Sequence, residues 1–160
     1  MESVHNLNGK KRYDIFLAHD IDNENEMREN IPFYDQIESV CTKLGHNLFV
    51  PYRFVMAGSG ANRSSQNDID VLLNNIMIPQ SNLVICHLTN STSLGMMDER
   101  AKLVEKPIIY FYQEKAISQI PMSTFAYGNI QAMITFKTQE ECLGKLENQI
   151  DKYFLKPWLN

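Results

Sequence analysis

The sequence predicts an α/β domain of the Rossmann-like, flavodoxin-like kind, a three-layer sandwich around a mostly parallel five-stranded sheet. Three observations predict it. Short, continuous apolar runs recur along the chain, stretches with helical spacing separate them, and polar loops follow the runs. Strands that are apolar throughout are those buried on both faces, as in a parallel sheet covered by helices.

The elements follow in order. Residues 1–12 are a polar leader. Tyr13-Asp14-Ile15-Phe16-Leu17-Ala18 is the first buried-strand run, and the polar loop from His19 to Asn25 follows it. From about Pro32, apolar Phe33, Ile37, Val40, Cys41 and Leu44 recur at helical spacing, and Gly45 is suited to stop the helix in a left-handed conformation. Asn47-Leu48-Phe49-Val50 before Pro51 is the second strand, so the first three elements make a right-handed βαβ unit. Residues 55–65 are small and polar and read as a loop or lid. Ser64 or Ser65 then caps a helix burying Ile69, Leu72, Leu73 and Ile76, with Pro79 as its stop. Leu83-Val84-Ile85-Cys86 and Pro107-Ile108-Ile109-Tyr110-Phe111 are further strands flanking a helix from about Met97 to Glu105. A fifth strand near Ala132 to Phe136 and a helix from Gln139 to Tyr153 complete a domain over residues 13–154, with residues 155–160 as an apolar tail suited to packing on the domain or on another subunit.

Bulk properties narrow the function. A chain of 160 residues, 44% hydrophobic and 21% charged, is a globular composition with enough length for one core. A net charge of −4 without a Lys/Arg cluster argues against a duplex nucleic-acid partner. Cys41, Cys86 and Cys142 are odd in number, widely spaced and set in apolar runs, which reads as reduced core thiols. No run approaches the ~20 apolar residues of a membrane span, so no membrane partner and a cytoplasmic location are expected. No His/Cys/carboxylate spacing suggests a metal, and no cofactor is expected.

In open parallel sheets ligands bind beyond the carboxyl ends of the strands. Three loops lead away from those ends: residues 19–25, 52–65 and 87–98. The first offers His19 and Asp20 as ligand contacts, whereas His46 and His87 flank strands and are expected to satisfy backbone groups. The third, from Thr89 to Ala101, supplies hydroxyls, a glycine and then Asp98 and Glu99 at a helix start. One reading makes these carboxylates partners of the helix dipole. The other makes Glu99 a nucleophile toward an anomeric carbon, with Ser93 binding a sugar hydroxyl. Gly58-Ser59-Gly60 is an isolated pair of glycines that completes no dinucleotide fingerprint.

Ile15-Phe16-Leu17-Ala18-His19, Pro32-Phe33-Tyr34 leading to Leu44-Gly45-His46, Val50-Pro51, Leu83-Val84-Ile85 and Ser93-Leu94-Gly95 together resemble the nucleoside 2-deoxyribosyltransferase family. That family includes 2'-deoxynucleoside 5'-monophosphate N-hydrolases. The resemblance implies a nucleoside or nucleotide N-glycosidase or 2-deoxyribosyltransferase that uses a glutamate nucleophile. It also implies a homodimer or higher homo-oligomer whose sites borrow residues from a neighbour. Carried over residue by residue, Ser93 and Gly95 match the sugar- or phosphate-binding S-L-G element, and Glu99 lies six positions beyond Ser93. Met97 replaces the family's second glycine, and counting back from Ala101 and Pro107 puts Met97 at the nucleophile position instead. Asn74 stands where the family has an aspartate that donates a proton and binds sugar; Asp70, a turn earlier, is a substitute, although it and Asp68 also read as solvated first-turn carboxylates. Tyr52 corresponds to a histidine after the second strand, and Tyr127-Gly128-Asn129 to an arginine-glycine element. Tyr13 through Asp20 also resembles the opening of TIR domains, in which a glutamate six residues beyond a serine serves NAD cleavage. A catalytically degenerate nucleotide-binding domain is the remaining alternative.

Overall fold

The run Ile15–Ala18 forms β1, with every side chain closed off from water. The computed structural model describes residues 13–57, 69, 71–89, 92–115 and 129–155. Within them β1 is flanked by β2 (Leu48–Phe49) and β3 (Leu83–His87), and β4 (Pro107–Gln113) and β5 (Asn129–Phe136) extend the sheet. The order is β2-β1-β3-β4-β5 and every pairing is parallel, the flavodoxin-like arrangement. Register is set by apolar partners: Phe16 lies beside Phe49 and Val84, and Ile109 beside Ile85. Between β4 and β5 the pairing steps from Ile108–Ile130 to Ile109–Ala132, so Gln131 is the extra residue of a bulge.

Helices fill the crossovers. α1 (Glu24–Lys43) joins β1 to β2; α2 (Tyr52–Ala57), a π-helical segment (Val71–Met77) and α3 (Ile78–Gln80) lie between β2 and β3; α4 (Thr92–Leu103) joins β3 to β4; and α5 (Gln139–Phe154) ends the described chain. The chain moves to one side of β1 through α1 and to the other side of β3 through α4. Right-handed crossovers in opposite directions put those two helices on opposite faces. α5 packs on β5 and α1, with Lys43 Nζ 2.7 Å from Glu147 Oε1, while the π-helical segment and α3 pack on α4. No helix among the described residues is long and apolar enough to cross a membrane.

The expected strands form, and four helical boundaries differ from expectation, one of them the start of α4 at Thr92 where about Met97 was expected. α1 begins at Glu24, well before Pro32, because Asn23 accepts a hydrogen bond from the Glu26 amide and Glu24 and Glu26 complement the dipole of the first turn. Met27 thereby joins Phe33, Tyr34, Ile37 and Cys41 on the buried stripe. Pro32 is tolerated inside because it sits on the exposed side, where the carbonyl it cannot serve meets water. At the other end Gly45, at φ +87°, donates to Thr42 O and His46 to Cys41 O, the crossed pair of a Schellman cap. α2 occupies the start of the expected loop, and residues 58–65 lie outside the described residues.

The remaining difference is the stretch before β3. Ile69 is α-helical and buried as expected, but in place of a continuing α-helix that buries Leu72, Leu73 and Ile76 the chain takes the wider π turn over Val71–Met77, which buries Leu73 and Asn74 and exposes Val71 and Ile76. Pro79 does not end it; the proline sits within α3. Ile109, fully buried in β4 between β3 and β5, tests the sheet as the core. Ile109→Ala should lower unfolding free energy by about 2–5 kcal/mol in urea titrations at neutral pH; a loss below about 1 kcal/mol would contradict this packing.

Candidate functional site

Among the described residues, histidine and aromatic side chains pack together at the strand-order reversal between β1 and β3. His19, just past β1, is fully buried, and its two ring nitrogens are both engaged. Nε2 accepts the Tyr52 backbone N–H at 3.1 Å, so Nδ1 carries the proton and donates to Asp20 O at 2.9 Å. His87 ends β3 with Nδ1 2.8 Å from the Tyr34 hydroxyl and its ring flat against Phe111, 4.9 Å between centroids. Tyr34 stacks on His19 at 4.6 Å, and Phe33 links His87, Phe111 and Phe136. Burial pushes His19 down to about 4, offset in part by the Asp20 carbonyl and carboxylate. Burial, followed by the facing His19, pushes His87 down to about 3. Both rings are therefore neutral at pH 7 and act as wall.

The expected contacts of the first loops are accordingly structural. His19 is buried and holds the Tyr52 amide. Asp20 Oδ1 accepts the Asp22 amide at 2.8 Å and the Asn23 amide at 3.4 Å, shaping the turn into α1. The Tyr52 hydroxyl donates to Asp35, and Arg53 bridges Asp35 and Glu38, so this corner is tied down to α1. His87 pairs with a tyrosine hydroxyl, and His46 lies with Nδ1 3.6 Å from Asp14 Oδ2 and its ring stacked on Phe154, so neither histidine is spent on the backbone groups expected for it. The three cysteines are free and buried, and burial pushes Cys41 and Cys142 up to about 12, as inert core thiols require.

Among the described residues, open space lies on the helical layer as well as at the carboxyl ends of β4 and β5, where Gln113, Glu114, Lys115, Phe136 and Lys137 line about 420 Å³. A groove of about 550 Å³ runs between the π-helical segment and α4, lined by Val71, Asn74, Asn75, Met96, Glu99, Arg100 and Leu103. That volume is in the range of small-molecule sites. The period of α4 explains which residues face it. Leu94, Met97, Asp98 and Ala101, spaced three and four apart, are buried on the inner stripe, and Met96, Glu99, Arg100 and Leu103 repeat the same spacing two positions on. Met97 is core and Glu99 lines the groove. Asp98 faces inward, accepting from the Tyr110 hydroxyl at 2.6 Å and from Lys102 Nζ at 3.0 Å.

Asn74 is the second expected residue in the groove. It is only 8% exposed, and its Oδ1 has no hydrogen-bond partner. A buried acceptor left unmade costs about 1–3 kcal/mol, so Asn74 carries an unmet demand for a donor at the groove wall. Gly95 is in the first turns of α4, and a methyl group added there would meet nothing within 4 Å, so close packing does not demand glycine. Ser93 lies in the first turn of α4, and Asp70 and Tyr127 lie outside the described residues. Arg100 and Asn75 were missed in the sequence; beginning α4 at Met97 hid the stripe that a start at Thr92 makes plain.

No family model and no curated protein matches the chain. Among solved structures it is similar to the CMP N-glycosidase BcmB of Clostridium botulinum, at 16% identity and a TM-score of 0.63, covering 84% of this chain and 97% of that one. It is also similar to a conserved protein from Enterococcus faecalis V583, at 14% identity and a TM-score of 0.61, with the same coverage. These likenesses establish the fold, a Rossmann-like α/β sandwich.

Two outcomes follow from the buried polar groups. The folded state holds His19 and His87 neutral, whereas unfolded histidines protonate near pH 6.5, so the unfolded chain binds more protons between about pH 3–4 and 6.5. Stability should therefore rise with pH across that window and level off above it, by on the order of 3 kcal/mol per histidine. Urea titrations from pH 4.5 to 7.5 that show no slope would contradict the buried pair. Asp98→Ala strands Lys102 and the Tyr110 hydroxyl and should cost about 3–5 kcal/mol by the same method, against less than 1 kcal/mol if the carboxylate were solvated.

Proposed function

We propose that the groove binds a nucleoside or nucleotide and cleaves the base–sugar bond, with Glu99 as nucleophile. The observation that carries this reading is the meeting of Glu99 and Asn74, from separate helical segments, on one groove. The resemblance to nucleoside 2-deoxyribosyltransferases singled out the same two positions. The CMP N-glycosidase with a similar fold adds support, as a protein of this architecture named for that chemistry.

The steps balance as a double displacement. The Glu99 carboxylate attacks the anomeric carbon while the carbon–nitrogen bond breaks and its electron pair leaves with the base, which takes a proton from water or from Asp70. The glycosyl-enzyme is then opened by water, returning the carboxylate and releasing the sugar, or by a second base in a transferase. Asn74 has an amide and no proton to shuttle; its free Oδ1 accepts from a sugar hydroxyl. Ser93, at the start of α4, binds the sugar or its phosphate in this reading, and the apolar rim of Val71, Met96 and Leu103 receives the base. A neighbouring copy of the chain, as the resemblance implies, would cover the open side.

A second reading, binding without cleavage, rests on that same asparagine, because among the described residues no other carboxylate or imidazole lines the groove. Base release from deoxynucleosides, their monophosphates and NAD separates the two. Turnover by the native protein and a loss of about a thousandfold or more in kcat/KM for Glu99→Gln is expected for the enzyme. Equal turnover by the variant would remove Glu99 from the chemistry, and thermal stabilisation without turnover would select the binding module. Asn74→Ala should lower kcat/KM about tenfold to a hundredfold, as loss of one buried hydrogen bond does.

A further inference from the structure

Among the described residues, the groove holds a cation with no ion-pair partner. Among the described residues, Arg28 pairs with Glu24, Lys43 with Glu147, Arg53 with Asp35 and Glu38, Lys102 with Asp98, Lys137 with Glu114 and Lys145 with Glu141. Arg100, half-buried on the groove wall, has no carboxylate within ion-pair distance. Its neighbour Glu99 does not serve, because successive helix positions point about 100° apart and do not face one another.

The wall is therefore polarised, with a carboxylate at one point, a guanidinium at another, and the unpartnered Oδ1 of the buried Asn74 facing them from the π-helical segment. A neutral nucleoside would cover the guanidinium and give it no partner. A phosphate supplies one, because a guanidinium fork and a phosphate meet in parallel, charge-assisted hydrogen bonds. A chain of net charge −4 also repels anions at long range, so an anionic ligand needs a local cation to hold it. The divergence of the two side chains separates the phosphate from Glu99 and leaves that carboxylate free for the anomeric carbon.

We infer that Arg100 is a specificity-determining residue that holds the phosphate of a nucleoside monophosphate, so that the groove selects phosphorylated over free nucleosides. The inference rests on the groove being the nucleotide site proposed above. Arg100 contacts the phosphate, away from the bond that breaks; its role is binding.

The experiment uses the full chain, native and as Arg100→Gln, Arg100→Lys and Glu99→Gln. Thermal melts with ribose 5-phosphate and with ribose read phosphate binding without turnover. Ribose 5-phosphate should raise the Tm of the native protein and of Glu99→Gln, raise it less in Arg100→Lys, and leave Arg100→Gln unmoved, while ribose alone gives little shift. In kinetics, the ratio of kcat/KM for deoxynucleoside 5′-monophosphates over the matching deoxynucleosides should fall about tenfold or more in Arg100→Gln, chiefly through KM. An unchanged ratio or an undiminished ribose 5-phosphate shift in Arg100→Gln overturns the inference, as does a native protein that neither responds to ribose 5-phosphate nor prefers monophosphates. If the native protein cleaves nothing and yet shows the Arg100-dependent shift, the glycosidase reading fails and the phosphate site stands.

Discussion

The helical period of α4 ties the core of this protein to its groove. Leu94, Met97 and Ala101 are held against the sheet by burial, and Asp98 is held there by Tyr110 and Lys102. Once that stripe faces inward, the residues two positions along have no freedom: Met96, Glu99, Arg100 and Leu103 must line the outer wall. Burying an ion pair is a weak source of stability. Here its worth lies in register, because a rotation of α4 that turned Glu99 away would drag Asp98 and Lys102 off their partners.

A second constraint decides where a ligand can lie. Open α/β sheets offer their crevice where the strand order reverses. In this chain that place is filled by His19, Tyr34, His87 and Phe111, packed ring on ring with their polar atoms paired internally. Among the described residues, the groove lined by Asn74 and Glu99 is displaced from there onto the helical layer beside it. The π-helical segment contributes to this displacement. Its wider turn sends Asn74 inward and Val71 outward, so an amide meets the groove where a regular α-helix of this sequence would have continued an apolar stripe.

Most of the sheet was legible in the sequence because β1, β3 and β4 are buried on both faces, and such strands read as unbroken apolar runs. The helix starts were not. Asn23 to Glu26 is polar enough to pass for a loop, yet it is a capped first turn; Thr92 to Gly95 has loop composition, yet it is the first turn of α4. The π turn was invisible, since the apolar positions around Leu73 fit an α period nearly as well. For the groove, Glu99 and Asn74 were found through motif spacing, whereas Arg100 was not, because an arginine on a helix is ordinary until its lack of a partner is seen in three dimensions. Residues 19–23 and 52–53, where general rules look first, proved to be fastened by hydrogen bonds within the protein.

The unpaired groups share one property: each sits where the fold has declined an available remedy. Asn74 would be easier to bury as leucine, which its neighbours on the same segment already are. Arg100 would be easier to satisfy with an acid one turn away along its helix, as Lys102 is with Asp98. Elsewhere on the described surface the chain makes such pairs freely, between Arg28 and Glu24 and between Lys145 and Glu141. Leaving an acceptor and a cation unmatched on facing walls of one groove costs stability in the empty protein, and the cost is recovered only when a molecule bearing a hydroxyl donor and an anion occupies it. A sugar phosphate has both.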